Sequence, residues 1–307
     1  METLTKILPL IAVILAVIVF REGLSYYNYK KKCKLHEAAK TGRIDKVARY
    51  TNTEDGRTML HLPMPTNGAL FFVFREPAKG NNLVYVSGPK RIEMEGRSGD
   101  TVPVKFWGDG GYVFRNQKGK QTDVAVQGIP NPKRLEGPWN VTFAKGWGPA
   151  GPVQFDELTP WDENRDPEIK YFSGTAVYRK KFNLSDKEAA GLVKLSLGKV
   201  CYIAKVRVNG KDLGTVWTHP WTADLTGAVK PGENELEIQV ANTWLNRLVG
   251  DAGLPKEKRR TSTNVVYERG KRKLRAFQSF GSEDPLMPSG LMGPVGLEFG
   301  VRKTVEF

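Results

Sequence analysis

Between residues 172 and 242 apolar and polar positions alternate with a period of two, and turn residues interrupt the alternation. Leu236, Ile238 and Val240 fall on one face and Glu235, Glu237 and Gln239 on the other. Val193, Leu195 and Leu197 alternate with Lys194 and Ser196, and Ala204, Val206 and Val208 with Lys205 and Arg207. Successive side chains of a strand point to opposite sides, so this pattern predicts half-buried strands. Asn209-Gly210 lies between two such runs. Both residues tolerate the positive φ of a type I′ turn, which predicts a hairpin there. Pro231-Gly232 predicts a second turn before a strand over 234–241. The stretch reads as an antiparallel β-sandwich, and the chain as mainly β.

Upstream, the runs ALFFVF, NLVYVSG, KRIEME, VPVKFW, GYVFRN and TDVAVQ predict a smaller β-domain between residues 69 and 127. Asn131-Pro132 and Gly137-Pro138 mark its end. Trp139 to Lys145 is the expected first strand of the sandwich, and 159–171 an irregular connection. The uncharged run Ile7 to Phe20 follows Lys6. It is shorter than the ~20 residues of a full span, although a snorkelling Lys6 extends it. Gly23-Leu24-Ser25 is a poor cleavage site because Arg21 and Glu22 crowd it, so an uncleaved anchor is preferred to a cleaved signal. Arg21, Lys30, Lys31, Lys32 and Lys34 follow the run, and the positive-inside rule then places the bulk of the chain in the cytoplasm. Residues 35–50 read as helical and resemble the opening of an ankyrin repeat. One fragment cannot stack into a core, so a short amphipathic linker is expected. The expected division is an anchor or transmembrane helix at 1–29, a basic helical linker at 30–56, a small β-domain at 57–135 and the sandwich at 136–307.

Charge and cysteine usage narrow the chemistry. The net charge of +14 over 307 residues, with clusters at 256–260 and 269–275, suits either anionic partners or a solvated basic surface. No nucleic-acid-binding signature accompanies the clusters, so nucleic acid is not expected. Cys33 and Cys201 lie far apart. Cys201 beside a strand reads as a small core residue, and nothing in the spacing argues for a disulfide. His36, His61 and His219 are scattered, which disfavours a metal site of the His/Cys type.

Certain words of the sequence resemble a known family. "FSGTAVYRKKF", "VRVNGKDLGTVW", "LTGAVKPGENELEIQVANTW" and "NRLVGDAGLP" resemble the C-terminal galactose-binding-like domain of bacterial α-L-rhamnosidases of glycoside hydrolase family 106. They are similar, more loosely, to the sugar-binding jelly roll of family 2 glycosidases. "LMPSGLMGPVGLEF" resembles the close of such chains. "DGRTMLHLPMPTNGALFFVFREP" and "LEGPWNVTF" resemble the β-domain just upstream. The likeness covers about residues 55–299. It implies a galactose-binding-like jelly roll, an extracytoplasmic setting and a glycan partner, including rhamnose-containing ones. In the family the catalytic carboxylates belong to a large α/β barrel. This chain lacks βα alternation, so no catalytic residue is carried over. Some jelly rolls of this class hold a structural calcium, for which Asp224, Glu233 and Asp251 are the available oxygens; no dense carboxylate loop supports it.

The acidic stretch Asp156, Glu157, Asp162, Glu163, Asp166 and Glu168 has the residue types of a hydrolytic pair, and it reads as a solvated loop. Sugar binding uses aromatic platforms with amide and guanidinium groups beside them. Trp217, Trp221, Asn242, Trp244, Asn246 and Arg247 have that composition, with His219 and Asp251 close in sequence, at strand ends and loops where sites are built. Core or interdomain packing is the competing reading of the same residues. The expected function is a carbohydrate-binding, non-catalytic portion of a rhamnosidase-like glycoside hydrolase held at a membrane. The alternatives are a protein-docking sandwich without sugar binding and a glycosidase completed by a partner chain.

Overall fold

The computed structural model describes residues 47–61, 81–261 and 280–307, together with the strand backbones of 35–38, 43–45 and 70–73. The apolar run Ile7 to Phe20 lies outside the described residues. Among the described residues no helix is long and apolar enough to cross a membrane. The chain divides into two units, one of 1–129 with 301–307 and one of 130–300.

In the first unit the expected helical linker is replaced by strands. β1 (Leu35–Ala38) pairs antiparallel with β2 (Arg43–Asp45) and with β5 (Leu70–Val73). β1 is thus paired on both edges, and this pairing outweighs a weak local helical preference. β3 (Tyr50–Asn52) and β4 (Thr58–Leu60) form a hairpin where the second ankyrin-like word was read. Asp55-Gly56 turns it, with Gly56 at φ 81°. β9 (Gly110–Asn116) pairs with β6 (Leu83–Ser87) and β10 (Gln121–Val126), and β8 (Thr101–Phe106) with β7 (Ile92–Met94). Their inward faces bury Leu83, Val102, Val104, Phe106, Tyr112 and Phe114 in one core.

The second unit contains β11 (Lys133–Arg134), β12 (Trp139–Phe143), β13 (Val153–Phe155) and β14 (Thr175–Leu184). They are followed by β15 (Leu192–Ser196), β16 (Lys199–Cys201), β17 (Ile203–Val208), β18 (Lys211–Val216) and β19 (Thr222–Asp224), then β20 (Gly232–Ala241), β21 (Gly290–Gly293) and β22 (Gly296–Glu306). One sheet has the order β13-β12-β14-β20-β17-β18. The other pairs β15 with β19 and with the first half of β22, against which β11 also lies. The second half of β22, from Val301, belongs to the first unit and pairs there with β8. The period-two reading holds: Leu236, Ile238, Val240, Ala204, Val206, Val208, Val193 and Leu195 are all buried. Asn209 (φ 50°) and Gly210 (φ 79°) make the expected hairpin turn.

Among the described residues three short α-helices decorate the sandwich: α1 (Pro167–Lys170), α2 (Asp186–Ala190) and α3 (Leu245–Ala252). Ser185 and Glu188 close a reciprocal capping box on α2. An aromatic cluster fills one end of the core. Trp161 stacks on Tyr178 at 6.3 Å and 7°, and meets Phe172 and Phe143 edge-on. Trp161 Nε1 donates to the Tyr178 hydroxyl at 2.5 Å, and that oxygen also accepts from Leu291 N at 3.2 Å. Burial pushes the Tyr178 phenol above its ordinary pKa, so it stays protonated.

Candidate functional site

Strand register in the six-stranded sheet of the second unit sorts its outward side chains, most of them half-buried, into rows that cross the strands. Thr142, Val177, Gln239, Lys205 and Thr215 are successive partners in one row. Two residues along each strand, and three along β18 where a bulge shifts the register, Asn140, Arg179, Glu237, Arg207 and Asp212 form another. Two residues the other way, Thr175, Ala241 and Ile203 are partners, and Trp217 follows Val216 at the level of Ile203. All three rows share one face because alternate residues between them, such as Ala176, Val240 and Ala204, are buried.

Charge is confined to one part of that face. Arg179 Nη2 meets Glu237 at 2.9 Å, Arg207 approaches the same carboxylate at 4.0 Å, and Lys205 Nζ reaches Asp212 at 2.7 Å. Burial pushes the Glu237 carboxyl up. Hydrogen bonds from Gln239 and Arg179 and the two guanidinium charges more than reverse this, holding it below the ordinary carboxylate range. Asp212 is likewise lowered by its bonds from Lys205 and Gly214 N. The row ending at Trp217 carries no charged side chain.

Trp244 and Trp147 stand at this uncharged end. Trp244 follows β20, stands at the N-terminal boundary of α3 and is 52 % exposed. Its ring meets Trp147 edge-on at 5.1 Å and 70°. Trp147 was not among the expected site residues. Its signal was a tryptophan between two glycines just after a strand: Gly146 turns at φ 79°, and a Cβ at Gly148 would lie 2.8 Å from Phe143 Cβ. The loop is therefore held down on the aromatic core, with the Trp147 ring turned toward Trp244. Trp217 is 55 % exposed.

The remaining expected residues do other work. Trp221 is half-buried, and its carbonyl accepts from Leu197 N at 2.8 Å beside the β15–β19 pair, outside the rows. Asn242 fastens β14 to β20: its Nδ2 donates to Phe172 O at 2.8 Å, and its Oδ1 accepts from Gly174 N at 2.9 Å. Asn246 is buried and exchanges 2.8 Å hydrogen bonds in both directions with the Met287 backbone. Arg247 is also buried. Its Nη1 lies 3.5 Å from Asp251 Oδ1, and Nε and Nη2 have no hydrogen-bond partner among the described residues. Asp251 Oδ2 accepts from Arg260 N, Thr261 N and Thr261 Oγ1. Composition marked Asn242, Asn246 and Arg247 as sugar readers. Asn246 and Arg247 are instead turned inward by α3, and Asn242 is half-buried and bonded to the Phe172 and Gly174 backbone.

The acidic stretch is similarly engaged. Asp162 Oδ1 accepts from Ser289 N at 2.9 Å, Asp166 caps α1, and Glu168 makes a two-pronged pair with Arg260 at 3.1 Å. Arg259 donates to Leu254 O at 2.8 Å, so two members of the basic cluster at 256–260 hold the chain rather than await a partner. Glu233 pairs with Lys181 and Asp224 bonds Thr226 N, so the three calcium oxygens suggested by the resemblance are separately employed. Among the described residues no group of three His, Cys, Asp or Glu gathers as metal ligands. Cys201 is a free, half-buried thiol. A shallow groove of about 250 Å3 is lined by Lys133, Arg134, Ser196, Pro294 and Leu297; none of the tryptophans lines it.

Residues 160–291 match the family described as "Glycosyl hydrolase 2 galactose-binding domain-like". The chain is 38 % identical over 265 residues to a protein of Formosa agariphila named "Putative beta-glucuronidase", a match that covers 82 % of this chain and 22 % of that protein. It also resembles the solved structure of a rhamnosidase from Novosphingobium sp. PP1Y, with 28 % identity and a TM-score of 0.54 over 90 % of this chain and 21 % of that one. The chain thus spans about a fifth of the length of each. The β architecture, the matched residues and both likenesses agree that the second unit carries a galactose-binding-like domain related to those of glycosidases.

Proposed function

We propose that this chain is a carbohydrate-binding portion of a rhamnosidase-like glycoside hydrolase of family 106 type, without hydrolytic activity of its own. The observation that carries the reading is the exposed Trp244, paired edge-on with the half-buried Trp147, at the uncharged end of the sheet. An aromatic ring edge-on to a second one gives a rigid platform for the apolar face of a pyranose, at little cost in side-chain entropy. The likeness to a rhamnosidase and to a protein named as a beta-glucuronidase supports a sugar as the ligand. Rhamnose-containing polysaccharide is the ligand class we favour. Anchoring through the run Ile7 to Phe20, on the extracytoplasmic side, belongs to the same proposal. Hydrolysis is assigned to a barrel supplied elsewhere, because Asp162 accepts from Ser289 N, Asp166 caps α1 and Glu168 pairs with Arg260.

Affinity electrophoresis of the full chain through polysaccharides, rhamnose-rich pectin included, tests this. Retardation by one polysaccharide, lost in Trp244→Ala with unchanged thermal unfolding, is expected. Uniform mobility through the whole panel overturns sugar binding. It would favour the docking alternative, for which the exposed Ile203 and Leu254 speak.

A further inference from the structure

The hairpin turn Asn209-Gly210 lies at the opposite end of β17 and β18 from Trp217, and more than its backbone fastens it. Asn209 N donates to Glu235 O at 2.9 Å, and Asn209 Oδ1 accepts from Glu235 N at 3.0 Å. Its Nδ2 donates to Ala228 O at 3.0 Å and to Asn234 Oδ1 at 2.8 Å. The side chain thereby ties the β17–β18 turn to the start of β20 and to the loop before it.

The direction of these bonds is fixed by Asn234, which is buried. Its Nδ2 donates to Lys230 O at 2.7 Å and to Gly232 O at 3.0 Å, and its Oδ1 accepts from Lys230 N at 2.9 Å. Turning the Asn234 amide over would set its oxygen against two carbonyls. Its Oδ1 therefore faces Asn209, and Asn209 must answer with a donor. An aspartate at 209 would set an acceptor-only carboxylate against two further acceptors, Ala228 O and Asn234 Oδ1.

An Asn-Gly pair also carries a reaction of its own, because glycine has no side chain to shield its N–H. The Gly210 nitrogen loses its proton to hydroxide and attacks Asn209 Cγ. The new C–N bond closes a succinimide ring, the Cγ–Nδ2 bond breaks, and Nδ2 leaves as ammonia with a proton from water. Water then opens the ring at either carbonyl, giving aspartate or isoaspartate. Asn209 is exposed, so water reaches it and burial does not hold the reaction back. Ring closure makes Cγ tetrahedral and expels the nitrogen that donates two of the three side-chain bonds, so those bonds must open first.

We infer that Asn209-Gly210 is a state-dependent modification site. The folded second unit protects it, the unfolded chain converts it to aspartate or isoaspartate, and a converted chain no longer closes this end of the sandwich. Isoaspartate adds an extra backbone atom to a turn whose length sets the β17–β18 register. The inference stands apart from the carbohydrate reading.

The test ages the full chain at mildly alkaline pH, with and without denaturing guanidinium, and follows both products by mass spectrometry of the peptide that holds Asn209. Asn67-Gly68, the other Asn-Gly pair of the sequence, is the reference in guanidinium, where the two should react alike. Without guanidinium Asn209 should react at least about tenfold more slowly, the effect of hydrogen bonds that must open first. Equal rates at Asn209 in the two conditions overturn the protection. When the aged, unfolded sample is diluted to refold, the refolded fraction should hold unmodified Asn209 and the aggregated fraction its products. Converted chains that refold with unchanged thermal unfolding overturn the exclusion. Asn209→Asp supplies one product directly, and Asn209→Gly keeps the turn while removing the amide. Asn209→Asp should unfold at the lower temperature of the two or fail to fold. An Asn209→Asp chain as stable as Asn209→Gly means that the opposed acceptors cost nothing, and overturns the inference.

Discussion

Two tryptophan clusters meet along one stretch of chain, 143–147, in the second unit. Phe143 belongs to the cluster of Trp161, Tyr178 and Phe172, and Trp147 to the pair with Trp244. Trp161 is fully buried, and its indole N–H is satisfied by the Tyr178 hydroxyl. Trp244 keeps half of its surface in water although a neighbouring ring steadies it. The difference lies in what the fold does for each ring. It gives Trp161 polar satisfaction and close neighbours on all sides. It gives Trp244 one ring neighbour, Trp147, and an open face.

Mutations should pull the two clusters apart. Trp161→Ala should destabilise the second unit by ~3–5 kcal/mol, the usual range for emptying a large buried aromatic site. Denaturant unfolding measures it, and a loss no larger than that of Trp244→Ala would erase the distinction. Tyr178→Phe retains the ring but withdraws the acceptor from Trp161 Nε1 and Leu291 N, for an expected loss of ~1–3 kcal/mol. A neutral result would mean that the hydroxyl is dispensable to the cluster.

The smallest effect belongs to the charged rows outside. Glu237 is held below its unfolded value of 4.5, so the unfolded chain binds the proton more readily. Its contribution is present above that pH and is lost as pH falls through the lower folded value. Because its partners are half in water, it is worth ~0.5 kcal/mol. Glu237→Gln should therefore flatten the acid limb of the stability profile below pH 4.5 and leave the Trp161 cluster intact. An unchanged acid limb would assign that limb to other carboxylates.

Much of this architecture was legible in the residues. Alternation exposed the inward faces of β15, β17 and β20, and Asn209-Gly210 fixed a hairpin, because both signals are local. The 35–45 segment was misread as helix, since its partner β5 lies some thirty residues away and pairing is not a local property. The candidate site was half legible. Trp217 and Trp244 were identified and are exposed. Asn242, Asn246 and Arg247 were grouped with them by composition, which cannot reveal that a short helix after β20 turns the last two inward. Trp147 escaped notice because its neighbourhood with Trp244 comes from strand order rather than sequence distance.

The double allegiance of β22 bears on how the protein is made. Val305 and Phe307 are buried in the core of the first unit, and Phe307 N donates to Asp100 O at 3.0 Å. During synthesis the first unit emerges early but lacks these two plugs until the whole of the second unit has left the ribosome. Maturation is thus not strictly N-to-C, and the unit begun first is among the last to be sealed.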